Sequence, residues 1–236
     1  MRVLLWNCNN GLSRVNQVDY FKSFECDIAI VPELKESNIE ILKPRDSIWI
    51  TNNHVNPRPK GLGVLTFNDF SLEVQPRDED MEIFMPLKVC KFGFSFNLLA
   101  VWNFYYACKQ GRFKGVRGDN CLEWSALKHY GPKLSSPSLM VGDWNFGPKC
   151  FPDSFRKLCF EAKTYGLTSL YHSYFDLHEE ETKHPTFITT RKNYHHIDHF
   201  FGSDYFLQNL NSYEVDGFEN VVLSDHAPSL VEFKSD

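Results

Sequence analysis

Hydrophobic positions along this chain come in short runs, each closed by a polar or turn residue, a pattern that predicts strands more than helices. Runs at 2–6, 27–31, 47–50, 63–67, 71–74, 83–89 and 95–102 read as strands, followed by 138–142, 186–189, 196–201, 213–215 and 229–233. Helices are fewer. Val15, Val18, Phe21 and Phe24 recur at helical spacing behind Ser13, a residue suited to an N-cap. A second helix is predicted over about 120–129, opening on the capping-box pattern Asn120-x-x-Glu123. A third carries Phe155, Leu158, Cys159 and Ala162 on one face, with Gly166 as its stop.

Many strands interrupted by a few helices predict an α/β (α+β) layered domain. No repeat, low-complexity tract or linker divides the chain, so residues 1–236 read as one domain, and the strands follow one another too closely for a TIM barrel. Hydrophobic residues at 42%, including 21 Phe, suffice for a sizeable core and exclude a disordered, collagen-like or coiled-coil chain. Lys and Arg total 25 against 30 Asp and Glu, so no general basic character draws the protein to nucleic acid or an acidic membrane. Any contact with phosphates must come from a local patch or a bound metal. The first ten residues do not resemble a signal peptide, and no apolar run approaches a membrane span. Seven cysteines without a CxxC pair fit a reducing interior, and a cytoplasmic location is expected.

The informative feature is where acids and amides fall. Asn7 follows the first strand, Glu33 follows the second through Pro32, and Asp143 and Asn145 follow 138–142. Asp198 lies inside 196–201, and Asp225 and His226 precede the last strand. Asp and Asn punctuate strand ends as ordinary turn residues, so none of these alone is informative. Asp198 is the least ordinary, because an acid between Ile and aromatic residues needs a partner if buried. An imidazolium or a divalent cation would supply one. Asn7, Glu33 and Asp225 are hard oxygen ligands of the kind Mg²⁺ or Mn²⁺ accepts. His226 paired with Asp198 would have its ring oriented and its charged form favoured. Together these are parts for metal-assisted displacement at phosphorus.

Trp6-Asn7, Pro32-Glu33, Gly142-Asp143-Trp144-Asn145, His196-Ile197-Asp198 and Leu223-Ser224-Asp225-His226 stand in the order of the endonuclease/exonuclease/phosphatase superfamily. The chain resembles that superfamily, its compact bacterial members especially, from Asn7 to Phe233, with Pro185-Thr186-Phe187 matching a further family strand. The resemblance implies a four-layer α/β sandwich, two packed mixed β-sheets flanked by helices. It also implies Glu33 as the main Mg²⁺ (or Mn²⁺) ligand, with Asn7 supporting that site and Asp225 assisting a metal or orienting His226. Asp143 would orient and deprotonate the attacking water, and Asn145 would hold a phosphate oxygen. His226 would contact the scissile phosphate and act in acid–base chemistry, with Asp198 behind it, so that either Asp143 or His226 would be the base.

Two departures stand out. Pro32 replaces the family's frequent Gln, and Trp102 stands where members often have His or Tyr near the leaving group; an indole donates one hydrogen bond but shuttles no proton. Tyr105, Tyr106 or a metal-bound water would serve instead, or the leaving group would go without assistance. Lys109, Arg112, Lys114 and Arg117, interleaved with Phe113 and glycines, form the clearest basic patch and suit a phosphate backbone with a stacked base. Arg191 would add a phosphate contact from a second loop, and Asn103 and Tyr105 would lie beside the substrate. The segment between Phe187 and Ile197 is short for an abasic-site enzyme. His195, His196 and His199 lack the spacing of a zinc site, and Phe200 and Phe201 read as core. The leading expectation is a divalent-metal-dependent phosphodiesterase cutting nucleic acid, DNA before RNA. A phosphatase or phospholipid/inositol phosphoesterase, or a catalytically silent nucleic-acid-binding module, is the alternative.

Overall fold

Near-continuous apolar runs, the mark of strands covered on both faces, assemble here into two sheets packed on each other. The computed structural model describes all residues except 10, 52–59, 82, 104–110, 222–223 and 235–236. The first sheet contains β1 (Arg2–Leu5), β2 (Ile28–Leu34), β3 (Asp46–Thr51), β4 (Gly61–Thr66), β13 (Leu210–Val215) and β14 (Ser229–Phe233), in the order β13-β14-β1-β2-β4-β3. The second contains β5 (Ser71–Val74), β6 (Phe84–Lys91), β7 (Phe94–Trp102), β8 (Ser138–Asp143), β9 (Thr168–Ser169) and β12 (Asp198–Gly202), in the order β5-β6-β7-β8-β12-β9. Both sheets are mixed: β1 runs parallel to β2 and β7 to β8, and the other described pairs are antiparallel. β10 (Phe187–Ile188) and β11 (Tyr194–His195) make a separate hairpin.

Alternation along the first sheet sorts its side chains into two cores. Val3, Leu5, Ile28, Ile30, Leu62 and Val64 join the second sheet in the large central core. The residues between them, among them Leu4, Ala29, Val31 and Leu65, pack with Val18 and Phe21 of α1 (Val15–Ser23). The large core also takes in Leu127 of α3 (Leu122–Tyr130) and Phe155, Leu158 and Ala162 of α4 (Pro152–Thr164). The layers are therefore helix, sheet, sheet and helix, as the resemblance implies. Each fully buried aliphatic or aromatic side chain contributes roughly 1.5–3 kcal/mol.

Helix termini follow the sequence less closely. α1 starts at Val15 with Arg14 in the cap position and no side-chain cap, so Ser13 stands one residue too early. α3 starts at Leu122 after Cys121, and Asn120 closes a short 3-10 turn, so the Asn120–Glu123 box does not form. The end of α4 is as expected: Gly166 takes φ +73° and the amides of Gly166 and Leu167 bond the carbonyls of Lys163 and Ala162, closing a Schellman motif. Helices α2 (Ile39–Leu42), α5 (Leu170–Phe175) and α6 (Asp204–Gln208) are too short to print a 3.6-residue period. The stretch 196–201 is not one strand. His195 pairs with Phe187 in the hairpin, and β12 opens only at Asp198, because Thr186 Oγ1 takes the amides of Ile197 and Asp198 at 3.1 and 3.2 Å.

Candidate active site

The carboxyl ends of the parallel strands meet at one edge of the sandwich, the usual location for chemistry in open α/β sheets. β1 runs on into Asn7 and β8 ends on Asp143, and Asn7 Nδ2 donates to Asp143 Oδ2 across the seam at 3.0 Å. β12 runs antiparallel to β8 with Asp198 opposite Asp143, so its first residue arrives at the same edge. β14 likewise begins beside the end of β1, Ser229 opposite Leu5, which brings His226 in from the preceding turn. Gly142 permits this crowding: a Cβ there would lie 1.9 Å from the Val101 carbonyl oxygen.

Asp143, Asp198 and His226 offer ligand atoms within 4.8 Å of one another, and all three residues are buried. His226 Nδ1 lies 2.9 Å from Asp198 Oδ2. Burial alone would pull this imidazole towards its neutral form, but the charge and hydrogen bond of Asp198, with Asp143 and Asp225, outweigh it and lift the pKa to about 9. For Asp143, burial and then the charge of Asp198 raise the carboxyl to about 7, against the opposing pull of His226, Asn7 and the Asn145 amide. The backbone around His226 is tied down. Trp6 Nε1 donates to its carbonyl at 3.0 Å, and Ser224 Oγ accepts its amide at 3.1 Å while donating to the Asn7 carbonyl at 2.7 Å. Phe187 packs against the ring with centroids 4.7 Å apart.

Glu33 reaches the site through a β-bulge. The β2–β4 register shifts between Val31 and Leu34, and Glu33 takes φ +61°, a left-handed conformation costly for a residue with a Cβ. A bulge also explains Pro32 inside a strand, since a residue without an amide hydrogen can sit where the ladder is interrupted. Asn7 Nδ2 lies 3.4 Å from Glu33 Oε1, so one amide group bridges both carboxylates. Its Oδ1 accepts the Asn9 amide at 3.1 Å. Lys60 Nζ forms an ion pair with Glu33 Oε2.

The remaining candidates fall in several places. Asn145, at φ +57°, donates its amide to Asp143 Oδ1 at 2.9 Å and its Nδ2 to the Asn103 carbonyl at 3.0 Å. Asn103 returns a bond from Nδ2 to the Trp144 carbonyl at 3.0 Å, locking the turn that carries Asp143. Asp225 bonds Ile188 through its carbonyl and acts on His226 by charge; its carboxylate is not among the three clustered groups. Tyr105 and Lys109 lie outside the described residues. Arg112 is paired with Asp78 and with Asp80, and Phe113 is buried in the core, so this ring is not presented for stacking on a base. Lys114, Arg117 and Arg191 are exposed. Trp102 is buried at the end of β7, opposite Asp143 in register. Lys60 escapes sequence reading because only the β2–β4 pairing places it beside Glu33. Thr186 stands in a recognisable strand, yet its hold on the Asp198 amide has no sequence signature.

The donor set fits a divalent cation of the Mg²⁺ or Mn²⁺ kind. Asp198 Oδ1 is buried without a hydrogen-bond partner among the described residues, and Asp143 is destabilised as an anion, so both gain from nearby positive charge. With His226 bound to Asp198 Oδ2, the oxygens left to a cation include Asp198 Oδ1 as well as those of Asp143 and Glu33.

No family model matches the sequence, and no curated protein matches it either. Solved structures do match over the whole chain. The endonuclease domain of TRAS1, a telomere-specific non-LTR retrotransposon, superposes with a TM-score of 0.70 at 15% identity, covering 99% of this chain and 97% of that one. The 3'-5' exonuclease NExo from Neisseria meningitidis gives 0.70 at 18% identity, with both chains fully covered. An AP endonuclease from Archaeoglobus fulgidus gives 0.70 at 14%, again over both full chains. The fold is the one these structures share, a deoxyribonuclease I-like α/β sandwich. Among the described residues no helix is long and apolar enough to cross a membrane.

Proposed function

We propose that residues 1–236 act as one domain that hydrolyses nucleic-acid phosphodiester bonds, DNA first, with Mg²⁺ or Mn²⁺ as cofactor. The observation that carries this reading is the buried Asp143–Asp198–His226 cluster at the sheet seam. Asp143, raised to about 7, has the affinity for a proton that a general base needs near neutral pH. It would take the proton of the attacking water, with Asn7 and the Asn145 amide holding its two oxygens in place. His226, charged through Asp198 and bound to it at Nδ1, would direct Nε2 at a phosphate oxygen and offset the charge that grows there. Asn145 would hold a second phosphate oxygen, and Lys114, Arg117 and Arg191 would meet the flanking backbone. Glu33, supported by Asn7, would hold the metal, which when bound supplies Lewis-acid polarisation of the phosphate. The free thiols of the six described cysteines suit a reducing, cytoplasmic setting.

A second reading is hydrolysis of a terminal phosphate, because one matching structure is described as the 3' phosphatase NExo from Neisseria bound to a product DNA hairpin. One panel tests both: single- and double-stranded DNA, abasic duplex, RNA, a 3'-phosphorylated oligonucleotide and a small phosphodiester, each with Mg²⁺, Mn²⁺ or EDTA. Cleavage should need metal and should fall about 10²–10⁴-fold in Asp143→Asn. Release of phosphate alone would favour the second reading. Tight oligonucleotide binding with no turnover under any metal would leave a binding module instead.

A further inference from the structure

Lys60 is brought to the site by backbone geometry. It precedes Gly61, which pairs with Leu34 just past the bulge that carries Glu33. Gly61 packs so closely on β3 that a Cβ there would lie 2.1 Å from the Ile50 carbonyl oxygen. The Lys60 carbonyl itself accepts the Thr51 hydroxyl at 3.0 Å. From this pinned position the ammonium pairs with Glu33 Oε2 and lies 5.7 Å from the centre of the Trp102 ring. Both partners are largely shielded, with side chains 20% and 15% exposed.

The carboxylate assigned to the metal thus already has a cation on it, and a divalent ion and an ammonium repel each other at one short-range ligand. Trp102 donates no proton to a leaving group from its buried place, but the face of an indole attracts an ammonium. Resting on the metal-dependent phosphodiesterase reading above, we propose that Lys60 is the built-in counter-ion of Glu33, displaced by the divalent cation and then binding a phosphate oxygen of the substrate. Lys60 is thereby a substrate-positioning residue whose engagement waits on the metal.

Mn²⁺ binding to the intact chain without substrate, followed by the electron paramagnetic resonance of the free ion, tests the first half. Lys60→Ala should bind Mn²⁺ about fivefold tighter, the equivalent of one ion pair removed. Lys60→Arg keeps the charge and should stay at the wild-type value. Unchanged or weaker binding in Lys60→Ala overturns the proposal. Glu33→Ala run alongside separates the two claims: if it binds Mn²⁺ like wild type, the metal-site assignment itself has failed and Lys60 falls with it. For the second half, oligonucleotide binding is measured with Mn²⁺ in an Asp143→Asn background. Adding Lys60→Ala should lower the slope of log affinity against log salt by about 1, the mark of one lost phosphate contact. An unchanged slope overturns the phosphate half. If the parent binds no oligonucleotide, the nucleic-acid reading is what fails, and the Mn²⁺ measurement still decides the counter-ion.

Discussion

His226 and His196 are both buried and both lie against an aromatic ring, Phe187 for one and Tyr171 for the other, yet their protons behave in opposite ways. Burial lowers His196 to about 4, with the His184 carbonyl 2.7 Å from Nδ1 and Nε2 without a hydrogen-bond partner among the described residues. Its neighbour His199, with ring centroids 5.0 Å apart, is lowered well below the ordinary value by burial and then by His196. Burial holds both rings neutral, and both serve as core. His226 is raised to about 9 because Asp198 sits 2.9 Å away. Desolvation is common to both places, so the carboxylates close to His226, Asp198 first, decide which histidine carries charge. A run of histidines near a strand is therefore no guide to chemistry until the neighbours of each ring are known.

The comparison breaks most visibly if Asp198 is removed. Asp198→Ala leaves His226 buried without its anion and should cost about 3–5 kcal/mol in urea unfolding at pH 7. Because the folded pKa of His226, about 9, lies above its ordinary 6.5, the contribution is complete below pH 6.5 and disappears as pH rises through 9. Wild type and variant should therefore converge in stability above pH 9; a constant gap would mean that the pair contributes by packing and not by charge.

At His196 the sign reverses. Its folded pKa of about 4 lies below 6.5, so the fold loses stability as pH falls between those values, by about 3 kcal/mol at the acid end. His196→Phe keeps a ring against Tyr171 and has no proton to gain. It should lose about 1 kcal/mol at pH 7 with the hydrogen bond to His184, yet unfold at lower pH than wild type. Acid titrations followed by near-ultraviolet circular dichroism would show it, and identical acid midpoints would count against a neutral His196.

The smallest effect sharpens the picture at Asp143, a carboxyl raised to about 7 mainly by burial and so held as an anion at a cost above that pH. Asp143→Asn should raise the stability at pH 8 by about 1 kcal/mol while removing turnover, a trade of activity for stability. A drop in melting temperature at pH 8 would show that Asp143 is stabilised by its hydrogen bonds more than it is penalised by burial.

Most of the strands were legible because β-runs closed by polar residues print their limits, whereas their division into two packed sheets came from the resemblance. Asn7, Asp143, Asp198 and His226 were legible as residues out of keeping with the apolar runs around them. What the sequence conceals is set by tertiary geometry. Ser13 and Asn120 have the chemistry of caps, but the helices begin one or two residues later, where packing of Val18, Phe21 and Leu127 places them. The left-handed turn at Glu33 comes from a mismatch between two strands, and the approach of Lys60 follows from the same pairing. Phe113 looks like a stacking ring in a basic loop until its burial is seen.

The place of β14 has a consequence for how the protein comes into being. It lies between β13 and β1, and the amino group of Met1 donates to the Phe233 carbonyl at 2.8 Å, so the opening strand of the chain waits for the closing one. A ribosome making this chain has released Asn7, Glu33, Asp143 and Asp198 before His226 and its strand emerge. Partly made chains thus carry the acids without the imidazole, and the buried Asp143–Asp198–His226 cluster is complete only once residue 226 and the strand after it have joined the sheet.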